Sequence, residues 1–384
     1  MNRKFSTYVC CFIMAVFAMN LTIISPLLIE ISKTFSLNIA QSGFIFTIEF
    51  AGFITFVLLA GLFTERLGKK AVVSFTLIGF TASLLLFSFA QNFLSACIIM
   101  FFLGGFGGVI ETLITSLVSD LNDINKSFYV NLSQVFFGLG ALVGPVVAGL
   151  TVSYGISWRI SYRGLATLSL VLTLVFIIRK LPPLAKTDKV TFANIKRLLS
   201  DRNFLLICLC MLLYTGAEVG GWGWLCTLLK QSMGFSSTKS GIAVAVFWMA
   251  MTIGRFLCGP LTLRYSLKHI ITVLAFLSAI VTMLSIVLFN EIAIWIVVAA
   301  MGFTYSSQFP FIASFGARLT NAPSSTVFSL LIGSGGLGSM LVPYIMGVVG
   351  NNAGMRNSML IPAILLLFVG VIFSRFKNLP KEIE

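Results

Sequence analysis

Charged side chains are scarce in this sequence, and acidic ones most of all. Of its 384 residues only 10% are Asp, Glu, Lys or Arg, and 12 are acidic. A soluble domain is charged at about a quarter of its positions. A chain so short of charge, and 58% hydrophobic, cannot face water on all sides, so part of its solvent is lipid. Histidine is nearly missing: His269 stands alone. The seven cysteines (Cys10, Cys11, Cys97, Cys208, Cys210, Cys226 and Cys258) all lie in apolar stretches, and Cys208-x-Cys210 is not a zinc spacing. They read as small packing residues. Neither a metal nor another cofactor is expected, and no nucleophile–base set suggests an enzyme. The net charge of +14 does not indicate nucleic acid, because the basic residues sit in short loops rather than on one face of a domain.

What the chain has instead is apolar length. Its first apolar stretch, about 6–31, is too long for the core of a signal peptide and is followed by many more. About 20 apolar residues cross a bilayer as a helix. The expected spans are 7–30, 41–63, 71–90, 94–118, 128–152, 160–179, 203–229, 238–263, 269–289, 292–316, 326–350 and 357–374. The apolar runs are continuous rather than alternating, which favours helices over a barrel. With the N-terminus in the cytoplasm, nineteen Lys and Arg fall on inner loops and tails and six on the outer side. That bias places both termini inside, in a cytoplasmic (inner or plasma) membrane. The longest loop, 181–202, begins at Leu181-Pro182-Pro183 and divides the chain into six-helix bundles at 1–180 and 203–384.

The halves repeat. A shift of 198 residues places Gly61 on Gly259, Arg66 on Arg264, Lys70 on Lys268, Gly138 on Gly336, Gly140 on Gly338, Pro145 on Pro343 and Gly149 on Gly347. Six spans per repeat give two halves of parallel topology, which form a substrate site at their interface near the midplane.

The loop after the second expected span reads Gly61-Leu62-Phe63-Thr64-Glu65-Arg66-Leu67-Gly68-Lys69-Lys70. It resembles the signature loop G-x-x-x-D-R-x-G-R-R of the major facilitator superfamily. A weaker copy runs from Gly259 to Lys268, with Leu263 for the acid and Ser266 for the second glycine. The resemblance covers the whole chain and implies an all-α membrane protein: twelve transmembrane helices in two pseudo-symmetric bundles, the fold of secondary transporters of small solutes. In this reading Gly61 permits close helix approach, and Lys69 and Lys70 hold the loop in the cytoplasm. Glu65 faces the N-terminal end of the eleventh span, opened by Pro323-Ser324-Ser325-Thr326. The family implies an inner gate here, carried by Gly61, Glu65, Arg66, Gly68, Lys69 and Lys70 with Arg255 and Arg264. A topogenic loop without a gating role is the plainer alternative.

Three further segments are similar to the fucose/glucose–proton symporters: 104–112 around Glu111, Asn131-Leu132-Ser133-Gln134, and 213–219 around Tyr214 and Glu218. Two departures stand out. Ser25 occupies the approximate place of that family's span-one aspartate, with Asn20 the nearest amide. Met100 or Phe101 stands where many proton-coupled members carry an arginine.

Four ionisable residues lie deep within spans: Glu49, Glu111, Glu218 and Arg255. Each costs at least ~2.5 kcal/mol at the bilayer centre, so such residues are commonly functional. A carboxylate withdrawn from water holds a proton more readily, as a proton-coupled carrier requires. Glu111 is the first candidate for coupling, then Glu218 and Glu49; each is alternatively a static strut or a partner of Arg255. Asn20, Asn131, Gln134, Tyr214, Trp222, Trp248, Tyr305 and Gln308 supply the amides and flat rings that a sugar or polyol needs. Glycines 216, 220, 221 and 223 suggest a bend in the seventh span. The expectation is a monomeric, proton-coupled symporter. Its alternatives are a drug or metabolite efflux antiporter, suggested by Gly140 to Pro145, and a receptor or lipid-handling protein on the same fold.

Overall fold

The computed structural model describes residues 3–122, 126–178, 192–288, 290–320 and 324–376, with backbone alone at 62, 65, 126, 127, 192–195, 324 and 325. Among the described residues every regular element is helical. The helices are α1 (Arg3–Thr34), α2 (Ile39–Leu67), α3 (Lys69–Phe87), α4 (Phe93–Leu121), α5 (Lys126–Ser153), α6 (Trp158–Ile178), α7 (Phe192–Leu199) and α8 (Arg202–Met233). They continue as α9 (Ser237–Cys258), α10 (Leu261–Arg264), α11 (Leu267–Val287), α12 (Glu291–Tyr305), α13 (Gln308–Arg318), α14 (Ser324–Ala353), α15 (Met355–Ser358) and α16 (Leu360–Arg375). Twelve stretches of the described residues are long and apolar enough to cross a bilayer, the eighth combining α9 with α10, the tenth α12 with α13 and the twelfth α15 with α16.

Local chemistry explains where the helices start. Asn38 and Asn92 open α2 and α4 with capping boxes, their side chains accepting from the Gln41 and Ser95 amides at 2.8 Å. Asp201, Ser266 and Asn290 cap α8, α11 and α12. Buried residues dominate α1 and α8, whereas α6 buries a single stripe.

By contacts between Cα atoms the chain forms two compact units, one of residues 1–187 with 235–245 and the other of 188–234 with 246–384. In the first unit α1 packs on α5 and α2 on α4. In the second α8 packs on α14 and α11 on α16. Glycine makes these approaches possible. A Cβ on Gly140 would lie 2.0 Å from the Ala15 carbonyl oxygen, and one on Gly104 would lie 2.0 Å from that of Glu49. The second unit repeats both crossings: Gly338 meets the Leu212 carbonyl at 1.9 Å and Gly302 that of Phe247 at 2.1 Å. Gly104 and Gly302 are 198 residues apart, as are Gly140 and Gly338 and also Glu49 and Phe247. The sequence repeat is thus a repeat of backbone contacts.

Four expectations change. The segment 61–67 is helical, so α2 runs on to Leu67 and the break before α3 narrows to Gly68, whose φ of +80° suits glycine. Gly61 makes no close approach: nothing lies within 4 Å of a Cβ there. The stretch 181–202 contains the short helix α7, which packs against α8 and α14 through buried Leu198. Finally, α8 is continuous through its glycines. Gly216 and Gly220 make room for Val342 and Met346 of α14, so they serve packing rather than a bend.

Candidate functional site

The discontinuity that the glycines suggested in the seventh span lies in the tenth. There α12 ends at Tyr305 and α13 begins at Gln308, with Ser306 and Ser307 between them. Pro310 explains half of this. It has no N–H to offer the Ser306 carbonyl one turn back, and a bare carbonyl inside a bilayer is costly. Two side chains occupy the carbonyls at the break. The Arg255 guanidinium donates through Nε to the Ser306 oxygen at 3.1 Å, and the Tyr214 hydroxyl donates to the Tyr305 oxygen at 2.7 Å.

Around this break the second unit gathers a cluster of buried polar groups. Tyr214, Glu218 and Trp222 follow at four-residue intervals and share one face of α8. Glu218 is half-buried, lies one turn from Tyr214 on α8 and is in the field of Arg255. Arg255 also reaches the Met251 sulfur through Nη2 at 3.6 Å. The Tyr305 hydroxyl pairs with Thr282 Oγ1 at 3.0 Å. Gln308 is fully buried: its Nε2 donates to Ser278 Oγ at 2.8 Å and to the Thr304 carbonyl at 3.0 Å, while its Oε1 has no hydrogen-bond partner. Trp222 and Trp248 form an aromatic wall, ring centroids 5.9 Å apart, that continues through Phe247 to Tyr305. Trp224 points elsewhere and donates to the Pro343 carbonyl at 2.9 Å.

This arrangement redistributes the roles expected of single residues. Tyr214 and Tyr305, expected to face a solute, are fully buried with their hydroxyls committed to protein partners. They brace the site. Glu218 and Arg255 keep partial exposure. Thr282 and Ser278 were missed because they lie on the ninth span, where no ionisable residue draws attention. The break itself was readable in Ser306-Ser307 followed by Pro310.

In the first unit the candidates are more dispersed. Asn20 and Glu49 are buried, and Asn20 Oδ1 and Glu49 Oε2 lack hydrogen-bond partners. The Glu49 backbone is the surface on which Gly104 rests, and Tyr162 is near enough to feel its charge. Glu111 is half-buried on α4, with Thr115 Oγ1 bonded to its carbonyl at 2.8 Å. Asn131 is exposed and Gln134 half-buried on α5. Neither amide is bonded to another described residue, so both remain available to a polar solute.

The signature segment also departs from expectation. Lys69, expected in water, is 7% exposed and pairs with Asp120 at 2.5 Å and Ser116 at 2.8 Å near the end of α4. A counter-charge makes that burial tolerable. Lys70 donates to the Ile177 carbonyl at 3.3 Å, and Arg66 is exposed. The Glu65 side chain and 321–323 lie outside the described residues, as do the side chains of Ser324 and Ser325. Arg264 ends α10 and lines a surface recess of about 600 Å³ with Tyr265, Ser266, Lys268 and His269.

Comparison with known proteins agrees with this architecture. The family model described as Major Facilitator Superfamily matches residues 10–326 and 227–383. A protein TsgA homolog of Buchnera aphidicola subsp. Baizongia pistaciae is 24% identical over 361 residues, covering 92% of this chain and 91% of that protein. Among solved structures, a D-xylose-proton symporter is similar with a TM-score of 0.80 at 15% identity, covering 99% of both chains. The E. coli fucose:proton symporter is similar with a TM-score of 0.69 at 20% identity, over 98% of this chain and 100% of that one. These likenesses establish the fold. Twelve apolar helices with a duplicated frame, and a family model matched across most of the sequence, place this integral, multi-pass membrane protein in the Major Facilitator Superfamily of transporters.

Proposed function

We propose that the chain is a proton-coupled symporter of a neutral, hydroxyl-rich solute such as a sugar or polyol. The observation that carries this reading is the cluster at the interrupted tenth span, where Glu218, Arg255, Tyr214 and Gln308 converge in one unit. Interrupted membrane helices commonly hold substrate and coupling-ion sites. The partly exposed Glu218 takes and releases the proton, with Glu111 its counterpart in the first unit. Asn131, Gln134 and the free oxygens of Asn20 and Gln308 hydrogen-bond the solute, and the Trp222–Trp248 wall offers a ring face to its C–H surface. The two similar solved symporters, of D-xylose and of fucose with protons, support this substrate class.

On the same reading the protein is a monomer in a cytoplasmic membrane with both termini inside, following the excess of Lys and Arg on the inner loops. The Lys69–Asp120 pair, Gly68, Arg66 and Lys70 brace its inner gate together with Arg264, while Arg255 fixes the tenth span.

The test is transport in proteoliposomes. Adding a transported sugar to substrate-free vesicles should alkalinise the outside medium, and an imposed inward proton gradient should drive accumulation. Glu218→Gln should abolish gradient-driven accumulation while sparing counterflow exchange, and Glu111→Gln should do the same if it shares the proton. Undiminished accumulation in both variants would overturn the coupling assignment. Proton uptake on adding a lipophilic drug to inside-out vesicles, with no response to sugars, would indicate export instead.

A further inference from the structure

Two arginines at the start of α6 bring together more positive charge than their structural role accounts for. Arg159 and Arg163 stand one turn apart and converge on Ser88, the C-cap of α3. Arg159 donates through Nη1 to the Ser88 carbonyl at 2.8 Å, and Arg163 through Nε to Ser88 Oγ at 3.3 Å. Each guanidinium also lies against a ring, Arg159 4.8 Å from the Trp158 centroid and Arg163 4.7 Å from that of Phe89. Both are half-buried, and neither pairs with an acid among the described residues. A cation at a helix C-terminus satisfies its last carbonyls, which explains one arginine. The second unit makes the same cap with one. Ile286 is the counterpart of Ser88 at the shift of 198, and Arg356 donates through Nε to the Ile286 carbonyl. The counterpart of Arg163 is Ile361.

We infer that Arg159 and Arg163 form a site for the phosphate of an anionic phospholipid headgroup. Each guanidinium has five N–H donors and spends one on Ser88. The others suit a phosphate, which arginine takes with a planar fork of donors. Neighbouring cations repel, and an anion bound by both relieves that repulsion and offsets part of the cost of withdrawing them from water. The surroundings identify the carrier of the phosphate as a lipid. Leu85, Leu86, Phe89 and Ile160 are exposed apolar residues within one turn of Ser88 or Arg159. Gly164, next to Arg163, is exposed, and a Cβ there would meet nothing within 4 Å. A free phosphate gains nothing from an apolar surround, whereas acyl chains cover it. No acid stands by to receive an ammonium, so a headgroup of net negative charge fits better than a zwitterionic one. Arg159 serves both the cap and the ligand, and Arg163 is the addition that makes the site. In the orientation proposed above it lies in the outer leaflet, and it needs neither the solute nor the proton.

Thermal unfolding of the full chain in an uncharged detergent tests this without any transport assay, since a ligand of the folded state raises its melting temperature. Dioleoylphosphatidylglycerol should raise it saturably. Dioleoylglycerol, which lacks the phosphate, and inorganic phosphate, which lacks the chains, should not. Arg163→Gln leaves the Arg159 cap in place and should weaken the apparent affinity for the phospholipid roughly tenfold, the loss of one charge-assisted hydrogen bond. Arg163→Lys, which keeps the charge, should bind more tightly than Arg163→Gln. Arg159→Gln combined with Arg163→Gln should abolish the response. Arg356→Gln, which removes the cap on α11, should lower the starting melting temperature and leave the lipid affinity unchanged. No rise in the wild type overturns the site. So does an equal rise with inorganic phosphate, which would indicate a small-anion site, or with dioleoylglycerol, which would indicate mere cover for apolar surface. A full-strength response in Arg163→Gln would make both arginines purely structural and likewise overturn it.

Discussion

Lys69 shows how this chain accommodates a cation away from water. Its ammonium is tied to Asp120 and Ser116, and the pair sits at the end of α4 rather than in the loop. Removing one member of such a pair leaves the other charge stranded, at a cost of roughly 3 kcal/mol. Lys69→Met should therefore lower the melting temperature in detergent markedly, whereas Lys69→Met combined with Asp120→Asn should recover much of the loss. A double variant no more stable than the single one would mean that the pair is only incidental. The sequence suggested a solvated loop lysine because basic residues next to apolar runs usually face water. Its partner was hidden by distance: Asp120 lies 51 residues along the chain, and pairing at that range belongs to tertiary structure.

At the scale of elements, glycine and proline carry most of the information, and they divide into two kinds. Gly104 sits where a Cβ would strike the Glu49 carbonyl, but Gly61 has open space beside it. Gly104→Ala should destabilise by about 1–3 kcal/mol as α2 and α4 are forced apart. Gly61→Ala, on the exposed turn of α2, should be neutral or stabilising by up to about 1 kcal/mol. Thermal unfolding in detergent distinguishes the two, and equal losses would refute the packing argument. Pro310 makes a second test. Pro310→Ala restores an N–H that competes for the Ser306 carbonyl, so Arg255→Ala should cost less stability in that background than in the wild type. Additive losses would show that Arg255 does not substitute for the missing amide. The span positions were legible because twenty apolar residues admit few readings. Hydropathy hid the break, because it does not distinguish a continuous helix from two halves joined by serines; only Ser306-Ser307 ahead of Pro310 marked it.

For the whole molecule, the repeat at 198 residues proved more informative than hydrophobicity. It gave two halves from Gly61, Arg66, Pro145 and their copies, and the structure assigns it a physical content in paired glycine approaches. The candidate site was legible in part: Glu218, Tyr214, Trp222 and Gln308 were recognisable as polar or aromatic faces of helices. Which hydroxyls are spent on the protein was not legible, because that depends on partners on α11 and α12. The charge bias makes one global prediction. With native cysteines replaced by serine, Tyr154→Cys at the exposed end of α5 should react in intact cells with a membrane-impermeant thiol reagent, and exposed Arg66→Cys should not. The opposite pattern would invert the topology.

The crossing that seats Gly104 on Glu49 recurs where Gly302 meets Phe247. The duplicated frame therefore presents equivalent registers to different chemistry, an acid in one copy and a ring in the other. Duplication freed one copy of that position from whatever the other must do, while the glycine beneath it kept both helices at the same spacing. The two registers also differ in what surrounds them, Tyr162 near the acid in one half and Trp248 and Tyr305 against the ring in the other, so specialisation rests on what each register displays.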